Sequence, residues 1–216
     1  SHTTNLEESE VHITAKFFIG GKQARPDGGT VRPVWNKDGS LAGTVGQGNR
    51  KDLRNAVEAA QQASFWSKSS GHLRAQILFY FAENLSLRQQ ELETRLQQLI
   101  GCKSNEARQE VDSSIQRCFH YAAWADKYEG ALHQPPQGLL VPVLNEPLGV
   151  IGLICPDENP LLSFLSILLP SLAAGNRSIV IPSSSYPLIA NDLIQVMETS
   201  DVPAGAVNLI SAIQLK

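Results

Sequence analysis

Two kinds of apolar patterning divide the chain, one at helical spacing and one in short unbroken runs. Apolar residues three or four apart mark one face of a helix. After Asn49 the residues Leu53, Ala56, Val57, Ala60 and Ala63 form such a stripe, with Asn49 as the N-cap and Asp52 in the first turn. From about Gly71, the set Leu73, Ile77, Phe81, Leu85, Leu92, Leu96 and Leu99 predicts a longer helix that Gly101 stops. A third stripe, Val111, Ile115, Cys118, Ala122 and Ala125, predicts a helix from about Asn105 to Gly130. Ahead of them, Phe17-Phe18-Ile19 and the run from Thr30 to Trp35 read as two short strands, each followed by a glycine turn.

From Val150 the period changes. Val150 to Cys155 is an unbroken apolar run, as in a strand covered on both faces of a parallel sheet, and Pro156 ends it. Leu161 to Ala174 reads as a helix, Ser178 to Ile181 as a strand ended by Pro182, Pro187 to Thr199 as a helix, and Val207 to Ile210 as a third strand. This order predicts an α/β fold with an incomplete doubly wound parallel sheet, a Rossmann-like half whose ligands lie beyond the carboxyl ends of the strands. Between the two patterns, Leu139 to Leu144 is an extended apolar run that Pro142 confines to a sheet edge. Such an edge needs cover, so a contact with a second copy of the chain is expected there, the alternative being docking onto the same chain. The organisation expected is a flexible N-terminus at 1–16, strands and helices at 17–130, a bridging or oligomerisation arm at 131–148 and the half-sheet at 149–216.

Composition narrows the function classes. The 216 residues are 42% hydrophobic and carry 18 basic against 21 acidic groups. At this size roughly 70% of the unfolded surface can be buried, so a core needs no disulfide or metal. The charges are unevenly placed: residues 131–216 hold only Arg177 and Lys216 against Glu146, Asp157, Glu158, Asp192, Glu198 and Asp201. Mild acidity excludes a general nucleic-acid binder, which needs a stripe of Lys and Arg. The longest uncharged apolar stretch, Pro160 to Asn176, is too short to span a bilayer. Neither nucleic acid nor membrane is therefore an expected partner. Cys102, Cys118 and Cys155 are an odd set without metal-like spacing, which favours a reducing, cytoplasmic setting, and Cys118 reads as a small core residue. His2, His12, His72, His120 and His133 have no partner at ligand spacing, so no metal site is expected. The start at Ser1 reads as a processed or excised end.

Any chemistry should sit at Cys155 to Pro160 and Ile181 to Tyr186, the two strand ends. No Gly-x-Gly-x-x-Gly follows the first strand, and Asp157 and Glu158 would repel a pyrophosphate. Cys155 stands at a strand end, yet no His follows residue 150 to activate it, and its structural reading is the stronger.

Several motifs then fall into one order. They are Phe18-Ile19-Gly20-Gly21, Asp52 to Ala60, Trp66, Tyr121 to Lys127, Asn145-Glu146-Pro147-Leu148-Gly149-Val150-Ile151-Gly152, Leu172 to Asn176 and Pro203 to Asn208. In order and spacing they resemble the aldehyde dehydrogenase superfamily from about residue 17 onward. The departures resemble most the second, degenerate domain of the tandem family-16 members.

The resemblance implies NAD(P)-dependent aldehyde oxidation through a thiohemiacetal on a Cys, with an Asn side chain donating to the oxyanion and a Glu as base. In the family that Asn lies in Pro-Trp-Asn-x-Pro, and the matching residues here, Pro156-Asp157-Glu158-Asn159-Pro160, put Glu158 in its place. An ionised carboxylate cannot donate. The second strand in the family ends in Lys-Pro-(Ala or Ser)-(Glu or Ser), its Lys touching the adenosine ribose; here Ile181-Pro182-Ser183-Ser184 stand there. The resemblance thus implies cofactor-contacting positions at Ile154, Pro156, Ile181, Pro182, Ser183 and Ser184, with NAD the cofactor if any is bound and none the expectation. No catalytic residue is assigned. The family's nucleophile Cys and base Glu follow the stretch that this sequence resembles. A non-catalytic module with a scaffolding, oligomerisation or protein-interaction role is expected, in a homo-oligomer, with the rest of a larger aldehyde dehydrogenase-like chain or with other proteins. The alternative is a piece of an active NAD-dependent aldehyde dehydrogenase.

Overall fold

Capping chemistry sets the first helix. In the computed structural model, which describes residues 14–128 and 130–211, the Asn49 side chain accepts from the Lys51 and Asp52 amides and Asp52 answers with a 3.0 Å bond from the Asn49 amide. Helix α1 (Arg50–Gln62) follows, burying Ala56 and Ala60. A short α2 (Ser64–Lys68) then seats Trp66 with no exposed surface, its indole N–H donating to the Leu172 carbonyl at 3.2 Å. So short a helix leaves no periodic signal in the sequence.

The helix expected from Gly71 to Gly101 is two. Helix α3 (Gly71–Ser86) and α4 (Gln89–Ile100) are separated at Leu87-Arg88, where the chain turns although the apolar stripe continues through Leu85 and Leu92. Gly101 ends α4 in the left-handed region, φ 75°, as a C-cap glycine does. Helix α5 (Ser104–Lys127) packs Val111, Cys118, Ala122 and Ala125 inward, the stripe predicted for it. Leu73 departs from its stripe: it lies in the first turn of α3 and is 41% exposed.

Strands form three groups. Strand β1 (Thr14–Ala15) runs parallel to β5 (Leu41–Gly46), which pairs antiparallel with β4 (Val31–Trp35). Within the expected N-terminal segment, 1–13 lies outside the described residues and Thr14-Ala15 belongs to this sheet. A second sheet has the order β3-β2-β10-β9-β8, from β2 (Phe17–Ile19), β3 (Lys22–Ala24), β8 (Val150–Ile154), β9 (Arg177–Ile181) and β10 (Val207–Leu209). Strands β8, β9 and β10 are parallel and joined by α6 (Pro160–Ala173) and α7 (Pro187–Glu198), the βαβαβ unit expected. The N-terminal hairpin extends this sheet through Phe18 opposite Leu209. Buried side chains from the helices and the sheet form a main core that includes Trp66, Phe81, Leu96, Cys118, Phe164, Leu168 and Val180, and Phe17, Ala56, Ile179 and Ile210 form a second cluster.

Two details bear on function. Strand β8 is only partly covered, with Ile154 75% exposed, and it is also the sheet edge. The apolar run at 139–144 yields β7 (Val141–Val143), paired only with β6 (Ala131–His133), and every residue of both strands is exposed. This hairpin is a two-stranded sheet apart from the other two, in which β7 is an edge strand as Pro142 requires.

Candidate functional site

The carboxyl ends of β8 and β9 lie side by side. Ile154 is registered opposite Ile181, and the Cys155 amide donates to the Ile181 carbonyl at 2.9 Å. The six matched positions fall on these neighbouring ends. Ile154 and Pro156 are exposed, Ile181 is half-buried, Pro182 and Ser183 are buried, and Ser184 is exposed. Glu158 stands in the exposed loop before α6, where its backbone carbonyl accepts from the Ser163 hydroxyl at 2.7 Å. Asn159 follows in the left-handed region at φ 43°, a conformation that Asn tolerates better than most residues.

What joins the two loops is Asp157. Its carboxylate accepts from the Ser183 hydroxyl at 2.5 Å, the Ser185 hydroxyl at 2.8 Å and the Ser185 amide at 3.2 Å. The Ser183 hydroxyl bond, first, and the Ser185 amide bond hold this carboxyl below its ordinary range. Ser183 in turn accepts from the Tyr186 amide at 3.1 Å. The Arg32 guanidinium, on β4, donates to the Ser184 carbonyl of the same loop.

A second carboxylate caps the helix after β8. Helix α6 has no side-chain cap from Asn159; Glu110, on α5, accepts from the Leu161 and Leu162 amides at 3.2 and 3.4 Å. Burial raises the Glu110 carboxyl above its ordinary value despite these two bonds. A helix N-terminus attracts anions through such free amides. Here the chain's own carboxylate takes two of them.

Of these groups, Glu110, Asp157, Glu158 and Tyr186 border a cleft of about 540 Å³, lined also by Glu106, that has no Lys or Arg among the described residues. Phosphate would meet a field of its own sign. Cys155 is 5% exposed, and burial pushes its thiol up to about 11, so it stays protonated at neutral pH and is a weak nucleophile. Burial raises the Cys118 thiol still further, in keeping with a core residue. Among the described residues, no three His, Cys, Asp or Glu side chains gather as a metal site, and no helix is long and apolar enough to cross a membrane. His72, read as isolated, lies 3.3 Å from Asp126, an exposed contact between α3 and α5.

Asp157, Ser185, Arg32 and Glu110 were not singled out as a set by the sequence. Their partners are 26 to 152 residues away, and no local spacing reports them.

Comparison with known proteins bears on the family and the fold. The model of the aldehyde dehydrogenase family covers residues 24–214. Betaine aldehyde dehydrogenase of Bacillus subtilis (strain 168) is 31% identical over an alignment of 208 residues that covers 92% of this chain and 41% of that protein. The crystal structure of an NAD-dependent aldehyde dehydrogenase from Sinorhizobium meliloti superposes with a TM-score of 0.88 at 24% identity, over 94% of this chain and 42% of that one. PnpE in complex with nicotinamide adenine dinucleotide gives 0.88 at 26% identity, over 93% and 42%. The chain thus spans about two-fifths of the length of these relatives. With its βαβαβ half-sheet, its helical layer and a family match over most of its length, the chain belongs to the aldehyde dehydrogenase family.

Proposed function

We propose that this chain is a non-catalytic aldehyde dehydrogenase-like module whose role is scaffolding, oligomerisation or protein interaction. The observation that carries the reading is the self-satisfied pair of strand ends. Asp157 and Glu110 take hydroxyl and amide donors there, and the cleft they border has carboxylates but no cation among the described residues. A dinucleotide needs donors and positive potential at such ends. Ile181 offers neither, and Glu158, at the family's oxyanion-donor position, would repel a developing oxyanion. These residues are a poor fit to NAD. They also support the likeness to the degenerate second domain of the tandem family-16 members.

The interaction role rests on the arm. Leu132, Leu139, Leu140, Leu144 and Leu148 are all more than 60% exposed within 131–148, a segment with a single charge, Glu146. Trp124 and Tyr128 stack at 4.2 Å at the end of α5 and lead into it. An apolar surface of this kind marks a protein contact. The open edge of β8 is likewise a place for a further strand, supplied by the rest of a larger chain or by another protein. Three free thiols favour a cytoplasmic setting.

Two measurements test the reading. Calorimetric titration of NAD into the chain should show no saturable heat, and micromolar binding would end the non-catalytic form of the proposal. Sedimentation should show a concentration-dependent oligomer or a stable complex, whereas a strict monomer at high concentration that forms no complex with other cellular proteins would end the interaction role. A piece of an active NAD-dependent enzyme is the second reading, favoured by the relative solved with nicotinamide adenine dinucleotide.

A further inference from the structure

The donors at the two strand ends face one acceptor. Ser183 and Ser185 give their hydroxyls to Asp157, Ser185 adds its amide, and the Ser184 hydroxyl stands 3.5 Å from the same oxygen as Ser183. These residues lie between the end of β9 and the start of α7, while Asp157 lies just beyond the end of β8. In a doubly wound sheet the two loops bound the crevice where a ligand lies.

Phosphate and ribose oxygens of a nucleotide would compete for those donors, because a hydroxyl offers a single proton. Hydrogen bonds to an ionised acceptor are also stronger than those to a neutral one. A carboxylate tethered by the chain competes at an effective concentration on the order of mM or above, which a weak free ligand does not match. Glu110 holds the first turn of α6 in the same way.

We propose that the Asp157 contact is an autoinhibitory latch, in which the chain's own carboxylate occupies the donors of the Ser183–Ser185 loop and closes the crevice beyond β8 and β9 to phosphate-bearing ligands. The inference rests on the reading of this module as one that takes no dinucleotide. The latch adds the cause: the donors are present but already used. Arg32 steadies the same loop through the Ser184 carbonyl, so the carboxylate meets hydroxyls already held in place.

Full-length chains carrying Asp157→Ala, Asp157→Asn or Ser185→Ala test it, with amide hydrogen exchange and titration of AMP as the readouts. Asp157→Ala should speed exchange at Ser185 and Tyr186 at least tenfold while α3 and α5 keep their rates. It should also bind AMP at least tenfold more tightly than the unaltered chain, with Asp157→Asn between the two. Exchange within twofold of the unaltered chain overturns the latch. Faster exchange without tighter AMP binding overturns its inhibitory role. Should Asp157→Ala loosen α3 and α5 as well, Ser185→Ala decides: a tenfold faster Tyr186 amide in an otherwise intact chain upholds the latch, and an unchanged one overturns it. Saturable NAD binding by the unaltered chain would instead end the non-catalytic reading, and leave the exchange results to judge the contact alone.

Discussion

The strand ends at 155–160 and 181–186 and the arm at 131–148 depart from an ordinary enzyme surface in opposite senses. At the strand ends, hydroxyls and amides that could meet a ligand are bonded within the chain, to Asp157 and Glu110. Along the arm, apolar side chains that would be covered in a self-contained domain are open, Leu148 at 89% exposure the most. The difference separates two costs. Polar groups withdrawn from water need partners, and here they have them. Apolar groups left in water favour whatever covers them, at roughly 25 cal/mol per Å² of surface removed. On the function proposed above, such a module would hold another protein in preference to a small polar ligand.

The comparison can be broken most severely at the sheet itself. Asn208 is fully buried; it accepts from the Gly20 amide at 2.9 Å and donates to the Gly205 and Ser178 carbonyls. Asn208→Leu strands three backbone groups and should cost about 3 kcal/mol, read from the denaturant midpoint at constant m-value. A loss below about 1 kcal/mol would show that polar ties in this sheet are slack. Next is the α6 cap. Glu110→Ala should cost about 1 kcal/mol, the usual scale for a lost cap, and no loss would remove Glu110 from the account.

Glu110 also fixes a sign in pH. Its carboxyl is raised above the ordinary 4.5 by burial, so the folded chain favours the protonated form. That contribution is whole below 4.5 and is lost as pH rises through the raised value. Glu110→Gln should therefore flatten the decline in stability in the window just above 4.5, and an unchanged slope would count against the burial assigned to it.

On the arm the expectation reverses. Leu132→Asp with Leu140→Asp should abolish self-association by sedimentation while shifting stability by less than about 0.5 kcal/mol, because both side chains are already exposed. A large loss of stability would mean that the arm is packed within its own chain.

The smallest effect belongs to Asp157. Its carboxyl is held below the ordinary 3.8, so its contribution is present above that value and lost as pH falls through the folded one. Asp157→Asn should remove a shallow acid limb below about pH 4. An identical limb in the variant would assign it to other carboxylates.

Much of the fold was legible because it rests on local rules. The caps at Asn49 and Gly101, the inward stripe of α5 and the alternation from β8 to β10 are all written in spacings of a few residues. The failures have physical causes. The break at Leu87-Arg88 is hidden because the apolar stripe runs through it. Strand β5, Leu41 to Gly46, carries two glycines and a weak alternation, and it forms by pairing with β4 and β1. Strand β8 has the composition of a central strand but an edge position, which only the sheet order reveals. At the candidate site, the matched positions Ile154, Pro156, Ile181, Pro182, Ser183 and Ser184 were placed on the two strand ends. Asp157 was seen as a charge that would repel phosphate; its bonds to Ser183 and Ser185, 26 and 28 residues on, appear only once the strands are side by side.

The central claim is that the strand-end donors are used by the chain and not offered to a dinucleotide. Amide exchange of the full chain with and without saturating NAD tests it most directly. Rates at Ser183, Ser185 and Tyr186 should agree within twofold in the two conditions. Slowing of tenfold or more at those three amides, confined to the two strand-end loops, would contradict it.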